Sequence, residues 1–427
     1  MNPRQLLKSE LIRNTSVLIS GTVLAQLISI LLQPVLRRLF SAEAFGTYSV
    51  YLSMVGILAV ISTIRYDDAI VLPGKDKDSA NLLALSIFFN FLICFIALLI
   101  IIVFGNWILS FINLSSKFPI TILYLIPLGA FLINTYQSFN YWLIRKKKYN
   151  HVSINKLIRR GSEGISQISF ALTKNSKGLI FSDIIGQAVN VSAITFQGFK
   201  YGFSVKMLNI TKLRYVLKKY SYFPKYNLLP AFMSTCSFLL PVIFINKFYS
   251  AENAGYFDTS KFVLSIPMAV IATSISNVLL QRIAEKYNRK QSVVDDLKPL
   301  FGIVMLICIL EIFVMLLFGP LLFRIAFSSV YEISGEMSKI LVWSFALNFI
   351  VSSFSCIFIS MRKIKLYSIW QFFYFFAIIS LLLFKNLGFF EFLKVYVVIE
   401  VICYIAVTFI MCTIVFRYEK TIRLAKV

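Results

Sequence analysis

Apolar runs of about 20 residues recur along this chain of 427 residues, and their length limits what it can fold into. A helix needs about 20 residues to cross a bilayer, because the hydrocarbon core is about 30 Å thick. Twelve such runs predict spanning helices near residues 15–36, 46–64, 80–104, 119–143, 152–172, 178–199, 226–246, 255–280, 299–322, 337–360, 366–384 and 394–416. The gaps are too short for a soluble domain. The sequence therefore predicts an all-α polytopic membrane protein whose spans satisfy their own backbone hydrogen bonds.

Positive charge is concentrated at the ends of these runs. The chain carries 43 Lys and Arg against 19 Asp and Glu, a formal net charge of +24. Most of the cations lie at the termini and in links near residues 65–80, 145–160, 200–225, 282–298 and 361–365, and we call this side the basic side. The positive-inside rule predicts that it is cytoplasmic, with both termini. Cations placed in this way argue against nucleic acid as a partner.

A short sequence occurs twice, about half a chain length apart. Ser41-Ala42-Glu43-x-x-Gly46 recurs as Ser250-Ala251-Glu252-x-x-Gly255, and each copy lies in a polar link between two apolar runs. An internal repeat in a helical membrane protein is typical of transporters, whose site lies between the repeats. We therefore expect two pseudo-symmetric six-helix bundles around a central cavity. The predicted division is 1–199 for the first bundle, 200–225 for a basic linker, 226–416 for the second bundle and 417–427 for a cytoplasmic tail.

The linker has the pattern of a basic amphipathic helix. Apolar residues alternate with Lys and Arg over residues 207–222, as in helices that lie on an anionic membrane surface. The simpler interpretation is ordinary positive-inside topology.

Motifs for enzyme chemistry are missing from the sequence. It has no phosphate loop, no Gly-rich dinucleotide turn and no G-x-S-x-G nucleophile motif. The six cysteines are scattered through the apolar runs without paired spacing, which predicts neither disulfides nor metal ligands. We expect a protein that is not an enzyme and holds no metal or other cofactor.

Four features of the sequence carry a family resemblance. They are the spans, the repeat, the Ser-Ala-Glu-x-Phe-Gly-x-Tyr turn at 41–48 and the segment Arg65-Tyr66-Asp67-Asp68-Ala69-Ile70. Together they resemble the Wzx-type polysaccharide flippases of the multidrug/oligosaccharidyl-lipid/polysaccharide exporter superfamily, over essentially the whole chain. The resemblance implies a bacterial inner-membrane protein that moves an undecaprenyl-pyrophosphate-linked glycan to the periplasmic leaflet for O-antigen or capsule synthesis. It implies a cavity lined by spans 1, 2, 7 and 8. A polysaccharide polymerase and a chain-length regulator are candidate partners, besides the lipid bilayer.

Cations near the spans are the candidate substrate ligands, because an anionic pyrophosphate is very costly to place in hydrocarbon. They are Arg65, Lys261, Arg282, Arg37, Arg38, Lys247, Lys156, Arg159 and Arg160. Three carboxylates could tune them, namely Asp67 and Asp68 beside Arg65, and Asp258 one helical turn before Lys261. The structural alternative for each cation is an anchor at a helix end or an ion pair that locks two helices.

Acids and prolines within the spans suggest how transport could be driven. Buried carboxylates are typical of coupling to a proton or sodium gradient, and Glu311, Glu400 and Asp183 are the candidates. Glu311 and Glu400 could instead pair with a Lys or stay protonated. Pro34 and Pro241 occupy similar places in the two halves and are candidate hinges, or are simply accommodated by local packing.

Two functions compete with the flippase. A multidrug antiporter of the same superfamily would carry lipophilic cations, which a cavity rich in Arg and Lys disfavours. A membrane polysaccharide polymerase or ligase needs a sizeable catalytic loop opposite the basic side, and the links there, near 105–118 and 323–336, are short. A scaffold role in polysaccharide assembly stays open as an addition.

Overall fold

The computed structural model describes residues 10–112 and 120–424, except for the side chains of residues 10–19 and 423. The ends of the chain, including the last residues of the predicted tail 417–427, and part of the link 105–118 lie outside this range. The described residues contain no strand, which confirms the all-α prediction. They form α1 (Glu10–Leu39), α2 (Ala42–Ser62), α3 (Asp76–Ile112), α4 (Leu125–Arg145), α5 (Tyr149–Leu172), α6 (Gly178–Lys200), α7 (Ile210–Lys219), α8 (Tyr222–Phe248), α9 (Ala251–Asn288), α10 (Val294–Ala326), α11 (Glu332–Phe354), α12 (Ile364–Ile379) and α13 (Phe389–Leu424).

Eleven helices of the described range are long and apolar enough to cross a membrane. Every predicted span coincides with a helix, and only α5 fails on composition, because polar residues interrupt it. The protein is therefore a multi-pass membrane protein. Short helical segments complete the spans or links at Asp67–Ala69, Ile120–Leu123, Val205–Met207, Ser329–Tyr331, Cys356–Ser360 and Ser380–Phe384.

The repeated sequence forms a helix N-cap in both copies. The Ser41 hydroxyl accepts a hydrogen bond of 3.2 Å from the Ala44 amide, at the start of α2. The Ser250 hydroxyl accepts one of 3.0 Å from the Asn253 amide, at the start of α9. Serine is a favoured cap because its oxygen satisfies an orphan N–H group, and an acid in the first turn suits the helix dipole. The repeat is thus explained by local chemistry at two equivalent helix starts.

Packing divides the chain into two units, Met1–Ala254 and Gly255–Val427. In the first unit α5 packs against α1 and α6, α4 packs against α2, α3 and α6, and α8 packs against α2 and α3. Helix α8 was expected to open the second bundle, but its contacts are with the first unit. The predicted bundle boundaries stay a prediction about the two sequence halves.

The second unit is held by close helix approaches. Helix α11 packs against α10 and α13, and α12 packs against α13. Two serine hydroxyls tie α9 to α11: Ser260 donates to the Ser334 carbonyl at 2.7 Å, and Ser334 donates to the Tyr256 carbonyl at 3.0 Å. Small residues allow such approaches in membranes, where burial of apolar surface does not drive helices together.

The linker helix α7 packs on protein. Val216 is fully buried, and Leu213 and Leu217 pack against the same apolar core. The Tyr66 hydroxyl donates to the Leu217 carbonyl at 3.0 Å, and Asn81 on α3 donates to the Met207 carbonyl at 3.0 Å. The apolar face that predicted a helix on the membrane surface is therefore occupied by the protein itself.

We expect Asn81→Ala to release this linker. Asn81 is fully buried, and besides its bond to Met207 its side-chain oxygen accepts from the Asn209 amide at 3.1 Å. Its loss leaves two backbone groups unpaired, at a cost of about 2 kcal/mol. Trypsin should then cut after Lys206 and Lys212 about 30-fold faster, because local opening controls cleavage. Asn106→Ala, at an exposed position of α3, should leave the cleavage rate unchanged. An equal increase in both variants would show that the Asn81 hydrogen bonds do not hold the linker in place.

Candidate functional site

Arg65 lies in a tight turn after α2. It has a φ of 61°, in the left-handed region, and the residue before it has a φ of 49°. Its guanidinium is 2.8 Å from a carboxylate oxygen of Asp68, whose other oxygen accepts from the Tyr141 hydroxyl at 3.2 Å. The Arg65 side chain is 30% exposed. The turn therefore holds this cation at the basic side in an ion pair that is open to water.

Asp67 and Asp68 have different surroundings. Asp67 is buried and accepts a hydrogen bond of 2.7 Å from the Thr63 hydroxyl. Burial raises the pKa of the Asp67 carboxyl, and the Thr63 hydrogen bond opposes this. Asp68 forms the ion pair with Arg65, so of the two acids predicted to tune this cation Asp68 is the one in direct contact with it.

A second set of ionisable residues lies between α2, α5 and α6, and we call it the N-terminal polar cluster: Tyr48, Arg159, Arg160, Glu163 and Asp183. Arg159 is 3.6 Å from Asp183 across the α5–α6 contact, and Arg160 is 2.9 Å from Glu163 on its own helix. The Tyr48 hydroxyl donates to Glu163 at 3.3 Å. Both acids are buried, so two ion pairs, each of one Arg and one acid, lie at the same site inside the first unit.

The cluster keeps unused hydrogen-bonding capacity. Gln187 donates to one Asp183 oxygen at 3.4 Å, but the other Asp183 oxygen has no hydrogen-bond partner in the described part of the chain. The same holds for the buried side chains of Ser182 and Asn190. Buried polar atoms are nearly always satisfied, so the chemistry of this cluster suits water or a small ion between the helices.

Lys156, the third candidate cation on α5, does not belong to the N-terminal polar cluster. The Lys156 ammonium donates to the Thr22 hydroxyl on α1 at 2.7 Å, away from both acids of the cluster. The spacing of Lys156, Arg159 and Glu163 places them on one face of α5. Glu163 nevertheless pairs with Arg160, so the candidate cations Lys156, Arg159 and Arg160 do not form a single patch.

Two of the candidate cations at the span ends opposite the basic side lie against aromatic rings. Arg37 is buried at 3% exposure, with its guanidinium 4.2 Å from the centroid of the Phe45 ring. The Lys247 ammonium is 3.4 Å from the centroid of the Phe111 ring. A cation that only anchors a helix end at the membrane surface would be exposed, whereas a cation–π contact holds Arg37 inside the protein. Arg38 is exposed.

The second unit has its own buried charge site, which we call the C-terminal polar cluster: Asp258, Lys261, Tyr374, Glu400 and Tyr404. Lys261 is only 9% exposed and interacts electrostatically with both acids. Glu400 accepts hydrogen bonds from Tyr374 at 2.9 Å and from Tyr404 at 3.3 Å. Helices α9, α12 and α13 thus meet at one charged centre.

The remaining candidates lie apart from both clusters. Arg282 is 67% exposed and 3.4 Å from Asp296, which also pairs with Lys286 at 2.7 Å. Glu311 is buried on α10, and one of its oxygens has no partner among the described residues. Pro34 and Pro241 lie inside α1 and α8, as expected.

The spacing of polar residues within the spans is a further sequence signal for the two clusters. Tyr396, Glu400 and Tyr404 recur every four residues on α13, and Asp183 and Gln187 have the same spacing on α6. In an otherwise apolar span, polar residues at this spacing share one helix face and predict a buried polar contact.

Comparison with known sequences decides the family. Residues 35–336 match the family model described as polysaccharide biosynthesis protein. The chain belongs to this family. The match includes the Arg65 turn, the whole N-terminal polar cluster and Lys261, and it ends before Glu400. No curated protein gives a significant match.

Solved structures show the fold of this family member. An inward-facing multidrug resistance MATE family transporter of the MOP superfamily is 15% identical, with 90% of this chain and 95% of that chain covered and a TM-score of 0.69. An outward-facing MATE structure is 14% identical, with coverage of 98% and 99% and a TM-score of 0.61. The protein therefore has a MATE-like fold, which confirms the predicted fold class.

A third neighbour differs in the description of its pocket. It is a MOP superfamily transporter from Pyrococcus furiosus, for which a binding pocket of reverse polarity suggests a different function. It is 15% identical, with coverage of 98% and 99% and a TM-score of 0.60. At these identities the likeness establishes the fold and leaves the cargo to the residues of this chain.

Proposed function

We propose that the protein is a flippase that moves undecaprenyl-pyrophosphate-linked oligosaccharide repeat units from the cytoplasmic to the periplasmic leaflet, for O-antigen or capsule synthesis. One observation carries the proposal: a member of a polysaccharide biosynthesis family has a transporter fold over nearly its whole length. A transporter can contribute to polymer synthesis by moving a precursor. A lipid-linked oligosaccharide is the precursor that has to cross a membrane.

The cations of the chain support an anionic cargo. Arg65 combines a bidentate guanidinium with partial exposure, and its Asp68 partner can be exchanged for a phosphate oxygen. Arg65 then receives the pyrophosphate at the basic side, while the polyprenyl tail stays in lipid. Arg37, Arg38 and Lys247 are the candidate ligands at the opposite side. Binding has to be weak enough for release, which an exchangeable ion pair favours.

Buried carboxylates give the proposal a candidate energy source. Alternating access needs a free-energy input, and a proton or sodium gradient can supply it through an acid that changes its charge state. Asp183 is the first candidate, because one of its oxygens, beside Gln187 and Arg159, has no partner among the described residues. Glu400 and Glu311 are the candidates in the second unit, and Pro34 and Pro241 are the proposed hinges.

The proposed function also implies an orientation of the protein in the membrane and two partner proteins. By the positive-inside rule the basic side faces the cytoplasm, in the inner membrane of a bacterium, with both termini on that side. The units delivered to the opposite side would be taken up by a polysaccharide polymerase and its chain-length regulator.

The sidedness of lipid-linked units tests this function. A strain that lacks the protein should accumulate units in the cytoplasmic leaflet, and wild type should clear them. We expect Arg65→Ala to slow clearance at least about 10-fold, because a charge-assisted contact contributes roughly 1.5–3 kcal/mol. Arg65→Lys should be intermediate, since it keeps the charge without the bidentate geometry. Lys75→Ala removes an exposed cation from the same link and should transport normally.

Two outcomes would replace the proposal. Units that reach the periplasm but stay unpolymerised would indicate a polymerase. Normal glycan display in the deletion strain, together with sensitivity to lipophilic cations, would indicate a multidrug antiporter.

A further inference from the structure

A pocket of about 910 Å³ lies on the basic-side end of the second unit. It is formed where α9 ends, where α12 begins and along the last turns of α13. Its volume is within the range of about 300–1,000 Å³ that is typical of small-molecule sites. All of its lining residues belong to one unit, so it exists independently of the cavity expected between the bundles.

The pocket is cationic at one end. Lys290, Arg362, Lys363 and Arg417 line it, and no Asp or Glu does. None of these four side chains forms an ion pair with a residue in the described ranges, whereas three basic side chains near the end of α9 do. Arg282 and Lys286, for example, share Asp296. Four cations that converge without a carboxylate repel one another, so the arrangement suits an anion.

The pocket is apolar at its other end. Phe409, Ile410 and Ile414 line it from α13, with Leu366 opposite. Phe409 and Arg417 are about 12 Å apart along the helix axis, at 1.5 Å per residue. Helix α13 has 36 residues and is longer than the hydrocarbon core requires, so its apolar turns lie in hydrocarbon and Arg417 lies at the headgroup level.

We propose that this pocket binds an anionic phospholipid of the leaflet on the basic side. The phosphate lies among Arg362, Lys363 and Arg417, and an acyl chain follows the Phe409–Ile414 face of α13. Phospholipids surround this face at high concentration, which favours them over the rare isoprenoid carrier. A bound lipid would connect the ends of α9, α12 and α13 and stabilise the second unit.

Lipid binding to the purified full-length protein in detergent tests the site. Phosphatidylglycerol and phosphatidylcholine are compared by native mass spectrometry and by the shift in the thermal midpoint. We expect phosphatidylglycerol to bind more tightly, and R362Q/R417Q to weaken it about 25-fold, at about fivefold per cation. The control R289Q/K365Q removes two exposed cations from the same region, outside the pocket, and should bind like wild type.

The controls separate a built site from a basic surface. Equal weakening in both double variants, or equal binding of the two lipids, would overturn the proposal. Displacement of phosphatidylglycerol by undecaprenyl monophosphate at far lower concentrations would assign the pocket to the isoprenoid carrier and overturn the phospholipid assignment. Midpoints measured without lipid should agree among the three proteins, which shows that the substitutions leave the fold intact.

Discussion

Gly335→Val is expected to prevent α10 and α11 from packing and to remove most of the folded protein. A Cβ atom at Gly335 would lie 2.4 Å from the Pro320 Cα and 2.8 Å from the Gly319 carbonyl carbon. Gly319 faces the same contact, since a Cβ there would lie 3.0 Å from the Gly335 carbonyl oxygen. Both neighbours are backbone, which cannot rotate away as a side chain can. We expect a loss of about 3 kcal/mol or more, the upper end for overpacked sites.

The elution profile of a fluorescent fusion protein in detergent, with its thermal midpoint, measures this effect. Gly302→Val is the matched control, because Gly302 lies on α10 and a Cβ there has no atom within 4 Å. The control should elute as a single species with the wild-type midpoint. Equal behaviour of the two valine variants would mean that the helices can separate at little cost and that Gly335 is not a packing contact.

The second large effect is expected at Lys261. Lys261→Met leaves Asp258 and Glu400 without their cation in a buried site, which costs about 3–5 kcal/mol. Glu400→Gln removes the opposite partner and should cost a similar amount. The double variant should recover part of the loss, because it leaves no uncompensated charge between these two residues. We expect a coupling free energy of about 1–3 kcal/mol between the two sites.

A double-mutant cycle in thermal unfolding measures this coupling. Lys385→Met, at an exposed position, is the control and should change the midpoint little. Additive effects of the two substitutions would mean that Lys261 and Glu400 do not act as a pair. Transport by the double variant separates two roles. Restored transport indicates a purely structural pair, whereas a stable but inactive protein places Lys261 or Glu400 in the transport cycle.

The fold was largely predictable from apolar length. Each predicted span is a helix, because a bilayer accepts apolar runs of about 20 residues almost only as helices. The helix starts after Ser41 and Ser250 were predictable for a separate reason, since serine at an N-cap is recognisable from local sequence. The fifth and sixth spans were the weakest predictions, because polar residues interrupt both. Of the two, α6 qualifies as a span by composition and α5 does not.

The partners within the clusters were not predictable. Arg159 and Asp183 lie on different helices, and Lys261 and Glu400 are far apart in sequence. In soluble helices the apolar stripe shows which face is buried, but a spanning helix is apolar on all sides and gives no such orientation. The spacing of polar residues therefore predicts which of them share a helix face. Only the structure shows which neighbouring helix that face contacts.

The linker shows a related limit. Its apolar residues predicted contact with lipid, and in the structure Val216 and Leu217 pack against the first unit. Amphipathic periodicity reports that one face avoids water. It does not distinguish a bilayer from a protein core.

The shortness of two links bears on how the chain is made. Phe40 and Ser41 alone separate α1 from α2, and Tyr249 and Ser250 alone separate α8 from α9. Two extended residues reach at most about 7 Å, roughly the depth of one headgroup layer. The first helix of each pair therefore cannot settle across the bilayer while the second waits on the near side. During biosynthesis the two helices of each pair therefore have to cross the bilayer together.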